Sequence, residues 1–305
     1  MGKGGVGKSA VTEGAARHLC AQGKRVYLAK IDHGAKEQGA LERVTLTITT
    51  PQETTLHKAR PAANMGELWQ QTLAPNDCFK EYIALKLKIG HLIGMFLNNK
   101  FIQYLQKASP GIKEIVLLGK VWYERNHYDV VIVDMPSTGH GLAMINAPFN
   151  FAKLFPGGPV YQDAKDMIVT LSDPAQCAVV CVSLAEEMPL QESTELQQAT
   201  ARMLPHNTPW LVLNKITELG PLLKAALGQS KDKLTTLAGK NPVAAACIHL
   251  EDRQKQQTSC IDGFDLQNFK AVAAIKDYGH LDSQFIPADA FASQVNSSPS
   301  MGAQS

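Results

Sequence analysis

The stretch Gly2-Lys3-Gly4-Gly5-Val6-Gly7-Lys8-Ser9 decides the fold. It fits the pattern Gly-x-x-x-x-Gly-Lys followed by Ser or Thr, and chemistry explains each residue type. Glycines let the backbone curl until several N–H groups point inward at phosphate oxygens. Ser9 to Gln22 reads as a helix stopped by Gly23, and its N-terminal end adds positive charge at the same place. Gly4, Gly5, Val6, Gly7, Lys8, Ser9 and Ala10 are therefore the expected cradle for the phosphates of a nucleotide. Lys8 is expected to bridge the β- and γ-phosphates, and the Ser9 hydroxyl to ligate Mg2+. The same stretch also fits Gly-x-Gly-x-x-Gly through Gly2, Gly4 and Gly7, with Asp32 ending the next strand where a dinucleotide fold wants an acid. Two features decide against that competitor. Lys8-Ser9 has no role in such a turn, and a second phosphate-side motif lies downstream.

That second motif is Asp134-Met135-Pro136-Ser137-Thr138-Gly139-His140, at the carboxyl end of the apolar run Tyr128 to Asp134. An acid there lies beside the phosphate loop and suits Mg2+ or its water, so Asp134 is the second expected metal residue. Gly139 predicts a loop that approaches the γ-phosphate and moves when it leaves, and His140 is read as a turn cap or a sensor of that phosphate. Asn214-Lys215 ends the run Trp210 to Asn214, where phosphate-loop proteins read the base. A guanine reader of the Asn-Lys-x-Asp kind needs an acid two residues after the lysine, where Thr217 stands. Adenine is favoured, with Asn214 either a base contact or a plain turn residue. The expected cofactors are ATP and Mg2+.

Working outward, the fold class is α/β, a mostly parallel sheet flanked by helices, with a helical insertion. Arg25 to Asp32, Tyr128 to Asp134, Gln176 to Leu184, Trp210 to Asn214 and Ala244 to Leu250 read as strands, and Leu190 to Met203 as a helix. Strands alternating with helices imply a sheet covered on both faces. Gly34 to about Asn126 reads as mostly helical, with breaks at Pro51, Pro61, Pro75 and Pro110-Gly111. The expected organisation is one domain over 1–285, a helical insertion at about 50–126, and a disordered tail at 286–305 rich in Ser, Ala, Gln and Gly.

Composition excludes several classes. Lys and Arg number 30 against 28 Asp and Glu, a net charge of +2, which rules out a polybasic nucleic-acid binder by bulk charge, though not a local patch. Six cysteines in 305 residues do not make a disulfide scaffold, and they include no Cys-x-x-Cys pair for zinc. Cys177 and Cys181 read as core packing on one face of a strand. The nine histidines show no ligand spacing. No apolar stretch reaches the membrane-spanning length of about 18 residues or more, and no leader is read at the start, so a cytoplasmic location is expected. In phosphate-loop folds a central strand precedes the loop, whereas here the loop begins at Met1. Three readings stay open: a misplaced start, a shortened sequence, or a strand supplied by a partner. The favoured one is a start further upstream, with an in-frame apolar run of about six residues.

The early lysine makes the loop read Lys3-Gly4-Gly5-Val6-Gly7-Lys8-Ser9. This resembles the deviant Walker A of the septum-site, chromosome-partition, arsenical-pump and tail-anchored-protein targeting ATPases. Asp134 to His140 resembles the Asp-x-x-Pro-Thr-Gly-His stretch of the arsenical-pump and tail-anchored-targeting branch. Glu187 to Ser193 resembles its Glu-x-x-Pro-x-x-Glu-Thr segment. Gly157 to Val160 and Ile112 to Lys120 are similar to bacterial members that work as paired subunits. The resemblance covers roughly residues 1 to 250. It implies a slow ATP hydrolase that switches as a homodimer, or as a heterodimer with a related ATPase. Lys3 would reach the partner's phosphates, making Lys3, Lys8 and Asp32 the catalytic set. The branch has Asp-Pro-Ala-His where this chain has Asp32-His33-Gly34-Ala35, so Asp32 keeps its position while its loop differs. Two other classes stay open. One is a catalytically weak nucleotide-binding subunit. The other is a targeting chaperone whose membrane-protein client lies on the apolar stretch Leu85 to Leu105; burial of that stretch in the protein's own core, or at a dimer contact, is the favoured reading.

Overall fold

The structure is a computed structural model that describes residues 1–32, 34, 35, 37–44, 65–87 and 111–276. The first element is α1 (Lys8–Ala21), rich in alanine and ended by Gly23 at φ 84°, a left-handed position that costs glycine nothing. Then come β1 (Val26–Ile31), β2 (Glu42–Val44), β3 (Leu68–Leu73), α2 (Pro75–Leu87), α3 (Ile112–Glu124), β4 (Val130–Asp134), α4 (Thr138–Leu154) and α5 (Gly158–Ser172). The rest is β5 (Val180–Leu184), α6 (Glu187–Met203), β6 (Trp210–Ile216), α7 (Pro221–Ala238), α8 (Pro242–Asp262) and β7 (Val272–Lys276).

The strands form two sheets, β2-β3-β1-β4 and β5-β6-β7. All pairings are parallel except β2 with β3. In β1, Val26, Tyr27, Leu28 and Ala29 are all fully buried, as a strand covered on both faces requires. Alternation sorts them. Tyr27 and Ala29 join the core under α3, α4 and α5, and Val26 and Leu28 meet Ala16 and Cys20 of α1. The second sheet repeats this arrangement. Cys181, Leu211 and Leu213 pack with Met1, Ile145 and Leu190, while Val182 and Val212 pack with Val6 and Val11.

Two helices therefore span both sheets. α1 covers one face of each, and α4 covers the other, with Met144 and Phe151 in the first core and Ile145 in the second. Met1 lies against β5: its amino group donates to Val180 O, and Val182 N donates to Met1 O at 2.7 Å. Its sulfur is 3.0 Å from where a side chain on Gly141 of α4 would begin.

The α/β class holds, but three assignments change. Residues 42–44 and 68–73, read as part of a mostly helical stretch, form β2 and β3, and β3 pairs in register with β1 from Val26↔Leu68 to Ile31↔Leu73. The helix there is confined, among described residues, to α2 and α3, so the expected insertion at about 50–126 contains a core strand. Ala244 to Leu250 is the start of α8, not a strand. Asn241 Oδ1 caps it, accepting from Val243 N at 2.9 Å and Ala244 N at 3.3 Å, and Pro242 occupies the first turn. The last strand is instead β7. Finally, β5 begins at Val180, so Cys177 lies outside it. The tail at 286–305 lies outside the described residues, as do the side chains from Leu85 through Leu105.

Candidate functional site

The loop at residues 2–9 meets Asp134 at the carboxyl end of β4, Val182 of β5 and Asn214 of β6. Gly5 and Gly7 hold φ values of 84° and 89°, which only glycine adopts freely, and they turn the chain into α1. Helix α1 starts with no side-chain cap and no acid in its first turn. The N–H groups of its first residues, including Lys8, Ser9 and Ala10, have no acceptor within the helix. Gly4 and Gly5 face open space.

Lys8 sits at the centre. Its ammonium donates to Lys3 O at 2.9 Å, folding the side chain back over the loop. Burial pulls its pKa below the ordinary lysine value, while the carboxylates of Asp134 and Glu192 push the other way. Asp134 is half-buried at the end of β4 and pairs in register with Lys30 of β1. Lys30 itself binds Glu13 of α1 at 2.7 Å. Ser9 is exposed, and its carbonyl accepts from Thr12 Oγ1 at 3.0 Å. Uncapped amides with an ammonium suit phosphate, and a hydroxyl with a carboxylate suits a hard divalent cation. The residues present thus fit a triphosphate with Mg2+.

Other expected site residues occupy more particular places. Asn214 is 6% exposed, and its amide Nδ2 donates to Val6 O at 2.9 Å, so it braces the loop from beneath. The next residue, Lys215, takes φ 57°, and Gln257 of α8 holds both sides of that bend, donating to Lys215 O and accepting from Thr217 N. Asp32 lies two residues past Lys30 at the same end of the sheet. Its Oδ1 is engaged in its own turn, accepting from Gly34 N at 2.8 Å. Gly139 is not in a loop: α4 has already begun at Thr138. Sequence reasoning assigned no role to Glu192 of α6, which accepts a hydrogen bond from Thr138 Oγ1. The Glu187 to Ser193 segment was the available signal, but nothing in it says what the carboxylate meets.

A glycine-rich loop entering a helix, with a strand-end acid beside its lysine, defines a phosphate-loop nucleotide-binding protein. The family model of the anion-transporting ATPases matches residues 1–156, just over half of the chain, and the chain belongs to that family. It is similar to the ATPase BagA of Mycobacterium tuberculosis, at 28% identity over 239 residues that cover 75% of this chain and 68% of BagA. It is also similar to a protein of Aquifex aeolicus provisionally named arsenical pump-driving ATPase 2, at 27% identity over 161 residues, 49% of this chain and 48% of that one. The protein is accordingly an ATPase with the α/β fold of its class. Among the described residues no helix is long and apolar enough to cross a membrane.

All six cysteines are free thiols, and among the described residues no cluster of three metal-binding side chains occurs. Burial pushes Cys20 and Cys181 up to about 11 and Cys78 up to about 12. At pH 8 a thiol of that kind is ionised to the order of one part in a thousand, and the thiolate is the reactive form. Iodoacetamide at pH 8 is therefore expected to leave these three unlabelled in the folded protein while a denatured sample takes six labels, as read by intact mass. The unfolded chain loses those protons first, so their contribution to stability is complete below about pH 9 and declines as pH rises toward about 11 for Cys20 and Cys181 and about 12 for Cys78. A melting temperature that does not fall over that window would contradict the assignment.

Proposed function

We propose that the protein binds ATP with Mg2+ on Gly4, Gly5, Val6, Gly7, Lys8, Ser9 and Ala10, with Ser9 and Asp134 holding the metal, and hydrolyses it slowly as a dimeric switch. The observation that carries this reading is the placement of Lys8. Its ammonium is half-buried near Asp134 at the start of an uncapped helix and, among the described residues, is held by a loop carbonyl that a phosphate oxygen can replace. The bound nucleotide supplies the scissile phosphoanhydride and the metal spreads its charge. The chain's part is to orient both. Asn214 keeps the loop shaped and lies next to the base, which the absence of an acid at Thr217 favours as adenine.

Lys3 is proposed to reach the phosphates of a second subunit, either a copy of this chain or a related ATPase. Without an arginine supplied by a partner, the rate is expected on the order of 10⁻³ to 10⁻² per second. A second reading, a weakly hydrolysing subunit of a heterodimer, is favoured by the Asp32 carboxylate bonding Gly34 N in its own turn. Turnover of the lone chain measured against a mixed pair separates the two. Asp32→Asn with unchanged turnover would remove Asp32 from the catalytic set. A membrane-protein client remains a proposal resting on resemblance, tested by capture of an apolar helix with and without ATP.

Asp134→Asn tests the metal assignment. It is expected to weaken Mg2+-dependent ATP binding by roughly 10–100-fold, in line with the loss of an oriented metal-shell carboxylate. Binding measured in EDTA should change little. Equal losses with and without Mg2+ would place Asp134 elsewhere in the mechanism.

A further inference from the structure

We propose that Glu192 is the positioning residue that latches the start of α4 in the nucleotide-free protein and gives it up when ATP arrives. The inference rests on the ATP-binding reading and assigns a control element to that site. Thr138 Oγ1 donates to Glu192 Oε1, joining residues 54 apart in sequence, and both side chains are half-buried. The two ends of this contact differ in freedom. Glu192 stands on α6, anchored by the buried side chains of Leu190, Ser193, Leu196 and Gln197. Thr138 is the first residue of α4, four past Asp134, with an exposed residue on either side of it. The carboxylate is thus the fixed post and the helix start the movable part.

Lys8 connects this contact to the phosphate site: its ammonium is held on the loop by Lys3 O at 2.9 Å, within electrostatic reach of both Asp134 and Glu192. A triphosphate that takes the ammonium removes the counter-charge of Glu192 and sets its own negative charge beside the carboxylate. Like charges in a half-buried site repel strongly. The bond to Thr138 is then the one that yields, and α4 touches both cores, through Met144 and Phe151 in one and Ile145 in the other. A change at Thr138 is therefore transmitted to both halves of the fold.

The test combines amide hydrogen exchange with calorimetry on the full chain. The ligand is Mg2+ with an ATP analogue whose β–γ bridge is an imido group, and the proteins are wild type, T138V, E192A and E192Q. Without nucleotide, E192A and T138V are expected to speed exchange at residues 141–145 at least threefold. E192Q, whose amide oxygen still accepts from Thr138, is expected to leave it unchanged. With saturating analogue, wild-type exchange there should rise to the E192A level. E192A and E192Q are expected to bind the analogue three- to tenfold more tightly than wild type, E192Q doing so with its latch intact. A tether with only a structural role would loosen α4 in E192A with no gain in affinity in either variant. That result overturns the proposal, as does unchanged exchange in both E192A and T138V. If E192A does not fold, E192Q and T138V decide the same points. Should wild type bind no analogue at all, the nucleotide reading fails and the release step with it, and the nucleotide-free exchange still shows whether Glu192 holds the helix.

Discussion

Lys8→Ala is expected to lower ATP affinity by roughly 10–100-fold while leaving the protein folded. The two effects separate because the lysine has one modest bond in the free protein and several strong ones to gain. Among the described residues its hydrogen bond is to Lys3 O, half-buried at 2.9 Å. Losing such a bond costs about 1 kcal/mol, at most a few degrees of melting temperature in a chain of this size. Against a phosphate, the same ammonium makes charge-assisted bonds worth about 1.5–3 kcal/mol, and in a partly desolvated place, since burial already pulls its pKa down. Turnover should fall further than affinity, because charge on the transferring phosphoryl group peaks in the transition state. Calorimetry with ATP and a thermal melt of the same sample check both halves. Wild-type affinity in Lys8→Ala would remove the loop from the nucleotide site.

The site forms on a seam, and this explains why part of it was legible and part was not. The loop and α1 were readable because their constraint is local: eight residues in order, then a helix with its stop at Gly23. β1, β4 and β6 were readable because parallel strands covered on both faces show continuous apolar runs, Val26 to Ala29 being the extreme. β3 escaped because its centre is Trp69-Gln70-Gln71-Thr72, four half-buried residues with no apolar period, and its place is set by pairing with β1. Tyr27 Oη bonding Gln71 is the kind of long-range contact that stabilises such a strand. Ala244 to Leu250 misled in the opposite direction. Its apolar run resembles a buried strand, yet alanines favour helix and the Asn241-Pro242 start fixes one.

The site residues divide in the same way. Lys8 and Asp134 were legible from motif chemistry, and they belong to the loop and the first sheet. Asn214 and Glu192 come from the second sheet's side, and their work depends on what lies across the seam. For Asn214 that is Val6 O, and for Glu192 it is Thr138. No spacing rule connects residues 208 or 54 apart. α1 and α4 supply the connection by packing against both sheets, so a site divided between two sheets is held by the helices that cover them.

The bracing of the loop by Asn214 leads to the second large expected effect, that of Gly7→Ala. Gly7 sits at φ 89°, where a side chain costs about 1–3 kcal/mol from backbone strain alone. A Cβ there would also lie 2.3 Å from Asn214 Nδ2. The amide is the flexible end of its side chain and can move, but only by leaving Val6 O. An unpaired buried carbonyl costs about 1–3 kcal/mol more. The sum, roughly 2–6 kcal/mol, is a large fraction of the stability of an ordinary domain. The loop amides proposed to hold the phosphates should be lost from register as well, so ATP binding is expected to fall below detection even in protein that remains folded. The cause can be divided by a double-mutant cycle. Asn214→Ala alone leaves Val6 O unpaired, and in the Gly7→Ala, Asn214→Ala protein that cost is incurred once while the overlap with Nδ2 is gone. The double variant is therefore expected to be less destabilised than the sum of the singles, by about 0.5–3 kcal/mol in urea titrations. Strict additivity would mean that Asn214 does not support the turn at Gly7, and that backbone strain alone accounts for the glycine.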